Sequence, residues 1–210
     1  VKERVIYTRE RAAGLSAGAY LWSKLVILGL ISALQAVVLV VISVAGRPLP
    51  PHGAFLPSLP LAELMLAIAL LAVASMTIGL LISALVNSSD KTTPLLVVAV
   101  LVQVVLSGAV FPLNGKAGLE QFSWLSPSRW GFGAAASTSS LNRILPPAPG
   151  TRPDPLWNHS PHVWLLHMTM QAVLAAGFIW LTWRRLNREP RPPPLAALTS
   201  TGPLAGPRPR

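Results

Sequence analysis

The sequence predicts an all-α membrane protein. Three observations carry the prediction. Charged residues make up only 11% of the chain, mean hydropathy is +0.55, and four long apolar runs recur along 210 residues. A soluble domain covers itself with about 25% charged residues, which this chain lacks. The 52% hydrophobic content excludes disorder, because disordered chains are poor in apolar side chains. The length suits one domain rather than two large ones. No cysteine is present, which removes disulfides, thiol catalysis, iron–sulfur clusters and Cys-ligated zinc.

The runs are taken in order. The first, 22–45, has Lys24 and Gln35 as its strongly polar side chains. The second, 61–86, has Glu63 near its start. The third, 94–113, contains Gln103, and the fourth, 163–183, contains His167 and Gln171. A helix rising about 1.5 Å per residue crosses the roughly 30 Å hydrocarbon layer in about 20 residues. Four buried helices of a soluble core would need amphipathic faces, and runs this poor in charge have none. The 21 prolines respect the division: none lies in 22–45, 61–86 or 163–183, and Pro94 and Pro112 sit at the edges of the third run. Proline lacks an N–H and clashes in helix interiors, so it collects at helix starts and in loops.

Charge predicts orientation. Lys2, Arg4, Arg9, Arg11 and Lys24 precede or open the first run; Arg184, Arg185, Arg188, Arg191, Arg208 and Arg210 follow the last. The loops between carry few basic residues near the helix ends. By the positive-inside rule both termini are cytoplasmic. Loop 46–60 and the long loop after the third helix are then outside, and 87–93 is inside. A net charge of +10 could indicate nucleic acid. Its placement instead indicates anchors to anionic lipid, so no nucleic-acid partner is expected.

Three segments are not simple spans. Residues 1–24 mix charge with apolar side chains and read as a cytoplasmic amphipathic helix. On composition alone, a surface helix lying on the membrane fits them better. Residues 106–142 carry Trp124, Trp130, Phe122 and Phe132 around Pro127, which reads as a re-entrant or interfacial helical hairpin shielded by protein. Residues 187–210 are Pro- and Arg-rich and read as a disordered cytoplasmic tail.

No catalytic constellation emerges. A phosphate-binding loop is absent, since Asn114-Gly115-Lys116 lacks the rest of that motif. His159, His162 and His167 have no accompanying carboxylate, so no metal site is expected. Gln35, Ser75, Thr77, Gln103, Ser107, Thr169 and Gln171 are hydrogen-bonding groups without a base. They read either as interhelical bonds or as the lining of a pathway. The chain therefore reads as no enzyme in itself. It starts at Val1 in structured-looking sequence and reads as a fragment with a missing upstream part.

Three motifs, in order, then resemble a family. They are Glu10-Arg11-x-x-Gly14 through Tyr20 to Lys24 before a membrane helix, Ser107-Gly108-x-x-x-Pro112 closing a helix, and Trp124-Leu125-Ser126-Pro127-Ser128-Arg129-Trp130-Gly131-Phe132 before the final helix. The set resembles the last four membrane helices of ABC type-2 exporters of the G-subfamily kind, over about residues 1–186. The resemblance implies a permease that moves a hydrophobic or amphipathic substrate. It implies an ABC ATP-binding domain as partner, binding ATP and Mg outside these residues, and a homodimer in the cytoplasmic membrane among its lipids. It makes the segment with Glu10, Arg11, Gly14 and Ser16 the coupling helix to the ATPase. It places Val97, Leu101 and Gln103 near the translocation path, and Ser107, Gly108, Ala109 and Val110 at the outer gate. Some relatives carry two leucines where this chain has Ala109 and Val110, so a looser apolar gate is expected. The alternatives are a four-helix membrane scaffold without transport and a permease whose ATPase is a separate chain.

Overall fold

The computed structural model describes residues 16–86, 89–145 and 153–188, and among them every regular element is helical. The long helices are α1 (Ala17–Val44), α2 (Pro60–Leu85), α3 (Ser89–Leu106) and α7 (Pro161–Arg188). Between α3 and α7 come three short ones, α4 (Leu119–Ser123), α5 (Pro127–Thr138) and α6 (Leu141–Ile144), then a 3-10 turn at Pro155–Trp157. Residues 1–15, with the expected amphipathic segment, and 189–210, with most of the expected tail, lie outside the described residues.

Local chemistry explains the ends. The Ser16 hydroxyl caps α1 by accepting the Ala19 N–H at 3.2 Å, which satisfies one of the orphan donors of a first turn. Pro60 and Pro127 open α2 and α5, where a missing N–H costs nothing. Among the described residues, three helices are long and apolar enough to cross a membrane: Gly18–Val44, Pro60–Leu85 and Pro161–Arg188.

The third run corrects the expected bounds 94–113. Its helix starts at Ser89, holds Pro94 inside, and stops at Leu106; its apolar part is the shorter Thr92–Leu106. The stop has a clear cause. The Ser107 hydroxyl donates to the Val104 carbonyl at 2.7 Å and accepts the Ala109 N–H at 3.1 Å. Gly108 turns the chain with φ +84°, the left-handed conformation that favours glycine after a helix. The sequence signals were present, but the run stays apolar past them.

Helix α1 packs on α2 through one stripe, Leu21, Leu25, Ala36 and Val40. Spacings of four and eleven residues put these on one face, and most of the large apolar side chains elsewhere on α1 are exposed. Helices α2 and α7 lie side by side, and α5 packs against both. Small residues permit this close approach. Ala67 and Ala74 on α2 and Ala134 on α5 are fully buried. A Cβ on Gly131 would lie 2.6 Å from the Leu71 side chain of α2, and one on Gly133 would lie 2.8 Å from His167 Nε2 of α7. The expected hairpin is thus a short helix lodged between two long ones. Among the described elements, helix α3 packs mainly against α2 and α5.

Candidate functional site

The most buried polar groups gather around α5, at the end of the bundle where α2 and α7 begin. Glu63, in the first turn of α2, is fully buried. Its carboxylate accepts the N–H groups of Ala54 at 2.9 Å, Phe55 at 2.6 Å and Leu56, and the Thr138 hydroxyl at 2.8 Å. Several donors offset the desolvation of a buried carboxylate. One side chain thereby fastens the α1–α2 loop to α5. Gly53 is required there, because a Cβ would stand 2.5 Å from Glu63 Oε1.

Residues 153–159 form a strap across the same end. Arg129 of α5 pairs with Asp154 at 2.5 Å, both buried. Asp154 also accepts the Leu156 N–H at 3.0 Å, which caps the 3-10 turn. The Ser137 hydroxyl donates to the Asn158 carbonyl at 2.7 Å, and Asn142 Nδ2 donates to the Asp154 carbonyl at 3.1 Å. His159 Nδ1 donates to the Ser137 carbonyl at 2.8 Å, and His167 Nε2 to the Leu156 carbonyl at 2.7 Å. Both histidines therefore serve to join segments. Phe55 stacks on Trp164 with centroids 5.5 Å apart, and Phe132 meets Trp157 edge-on at 5.6 Å.

The residues singled out in the sequence fall into three groups. Glu10, Arg11 and Gly14 lie outside the described residues, and Ser16 is an exposed helix cap. Val97, Leu101 and Val110 are 53%, 58% and 65% exposed, and Ala109 is exposed beside Val110. Gln103, Ser107 and Gly108 face the protein. Gln103 Oε1 accepts the Ser75 hydroxyl of α2 at 3.1 Å, and its carbonyl accepts the Ser128 hydroxyl of α5 at 2.5 Å. Ser107 and Gly108 are buried beneath Arg129. Of the polar groups within spans, Ser75 and Gln103 bond between helices, whereas Thr77 bonds its own helix through the Ala74 carbonyl at 2.7 Å.

Sequence reasoning left Glu63, Arg129, Asp154 and His167 scattered. They are separated by tens of residues along the chain, with no periodicity to join them. A usable signal existed for two of them. A carboxylate at the mouth of an apolar helix and an arginine amid aromatics both require buried partners.

The arrangement uses its hydroxyl groups as hydrogen-bond donors, Thr138 to the Glu63 carboxylate and Ser137 to the Asn158 carbonyl. It is a set of structural bonds around a wedge-like helix, next to an apolar helix whose sides are bare. Apolar helices of membrane-crossing length and a polar interior define a multi-pass membrane protein. The chain belongs to the ABC-2 type transporter family, whose membrane domain matches residues 1–138. It is also similar to the ABC transporter ATP-binding/permease protein Rv1747 of Mycobacterium tuberculosis, with 38% identity over 185 residues. That similarity covers 88% of this chain and 21% of the relative, so the chain spans about a fifth of the relative's length. No solved structure matches the chain. The chain is accordingly part of an ABC-2 type membrane domain.

Proposed function

We propose that this chain carries the C-terminal part of the translocation unit of an ATP-driven exporter, moving a hydrophobic or amphipathic substrate across the cytoplasmic membrane. The observation that carries the reading is the similarity to an ATP-binding/permease protein along nearly the whole chain. ATP and Mg are bound by the ATP-binding partner, on the same full-length chain or on a separate subunit. Two copies meet as a homodimer. The bare apolar surface of α3 supports that geometry, because Val97 and Leu101 stand away from the rest of the chain and are free to meet a substrate or a second protomer. Lys24, near the start of α1, and Arg184, Arg185 and Arg188, at the end of α7, support a cytoplasmic position for both termini. Residues Glu10, Arg11, Gly14 and Ser16 then receive the closure of the ATPase and pass it into α1. Residues Ser107, Gly108, Ala109 and Val110 close the outer end.

A photoreactive amino acid at Leu101 tests the path in the complete transporter. Capture of a defined amphipathic molecule, displaced when ATP is added, is the expected result. Capture of bulk lipid alone removes α3 from the path. Glu10→Ala with Arg11→Ala should lower transport per ATP hydrolysed by about tenfold while expression persists, and an unchanged ratio removes the coupling role.

A further inference from the structure

Arg129 is 1% exposed, yet it bonds through only one of its three nitrogens. Nη2 donates to Asp154 Oδ2, while Nε and Nη1 are buried without a hydrogen-bond partner within the chain. Nη1 lies against Gly108, where a Cβ would collide with it. The guanidinium therefore sits between the turn that ends α3 and the strap that precedes α7. Helix C-termini carry partial negative charge, and α3 ends at Leu106, two residues before Gly108. The segment just beyond that turn has a second, neutral fastening: Asn114 Nδ2 donates to the Pro153 carbonyl at 3.3 Å, next to Asp154. Leu113, fully buried, packs from beneath.

A buried ion pair with two unused donors is weakly committed to its geometry. Desolvation of both charges cancels much of their attraction, and each unmatched N–H adds a cost. Water admitted to this spot would satisfy Nε and Nη1, and would weaken the attraction to Asp154 by raising the local dielectric. The paired arrangement draws the α3 turn and the strap together, and a parted one lets them separate.

We propose that Arg129 and Asp154 form a latch that positions the Ser107–Gly108 turn, holding Ala109 and Val110, exposed on the single chain, against the second protomer while the pair is made and releasing them when it parts. The inference rests on the reading of residues 107–110 as the outer gate. Arg129 is a positioning residue: it acts through Gly108 and touches no substrate.

The test uses Val110→Cys in the complete transporter, in a background otherwise free of cysteine, reconstituted in liposomes. The reading is the rate of modification by a membrane-impermeant maleimide. Asp154→Asn should raise that rate about tenfold, since one lost partner leaves the guanidinium unpaired. Arg129→Lys, which keeps the cation and loses the planar fork, should raise it about threefold. The exchange R129D with D154R should return it toward the parent rate. A control cysteine at the exposed Ser58 of the α1–α2 loop should react equally in every variant. An unchanged Val110→Cys rate in variants that elute like the parent overturns the latch. Increases that the exchange does not reverse overturn the pairing and assign the effect to packing. If Asp154→Asn does not fold, Arg129→Lys decides by the same criterion. A separate variant, Val110→Trp, isolates the underlying reading. Undiminished transport there shows that residues 107–110 are not the gate, whatever the latch variants do.

Discussion

Helices α3 and α5 are neighbours built on opposite terms. Helix α3 is almost wholly Val and Leu beyond Pro94, and most of those side chains are exposed. Helix α5 reads Pro-Ser-Arg-Trp-Gly-Phe-Gly-Ala-Ala-Ala-Ser-Thr, and most of it is buried. In water the assignments would be reversed. Where lipid tails replace water, apolar surface gains nothing by facing protein, while polar groups and close-packed small residues do. Hydropathy therefore locates the outer helices of this chain, and burial of small and polar residues locates its interior.

The comparison can be broken from the α5 side first. Gly133→Val should have the largest effect. The added carbon falls within 2.9 Å of three His167 ring atoms, and overpacking of this severity costs about 3 kcal/mol or more. The expected result is loss of a monodisperse peak in detergent chromatography. A parent-like melting temperature would mean that α5 does not lodge against α7. Glu63→Gln should follow, at about 1.5 kcal/mol, because it exchanges a charge-assisted acceptor for an amide whose NH2 faces other donors. Thermal unfolding in detergent reads that loss, and no loss would dissolve the tie between the α1–α2 loop and α5. Leu101→Ala sharpens the contrast at the small end. Its effect on unfolding should stay under about 0.5 kcal/mol, as for an exposed side chain. A drop like that of a core leucine would place α3 within a packed interior.

Much of this was legible in the sequence. The runs 22–45, 61–86 and 163–183 became α1, α2 and α7, because long apolar stretches bounded by proline admit few other solutions. The helix around Pro127 was legible from proline followed by alanines amid aromatics. Two features were not. The end of α3 was hidden because Ala109, Val110 and Phe111 continue the apolar run after the Ser107–Gly108 stop. The ties of Arg129 to Asp154 and of Glu63 to Thr138 were hidden because each joins residues far apart in sequence, through loops without a repeating pattern. Gly131 and Gly133 gave a faint sign: two glycines within one short helix weaken it by propensity, so packing must supply the reason.

The early stop of α3 has a consequence for the surrounding bilayer. Its apolar part, Thr92–Leu106, rises only about 22 Å at the helical pitch, short of the roughly 30 Å hydrocarbon layer. Lipid that meets this helix meets a wall too low for it. The layer must thin locally, or the irregular turn from Ser107 to Leu113 must sink to acyl depth and rely on protein for its backbone bonds. A hydrophobic mismatch is thus written into the chain at the long helix that, among the described residues, has the least protein around it, and membrane thickness becomes a force acting on the turn that Arg129 holds.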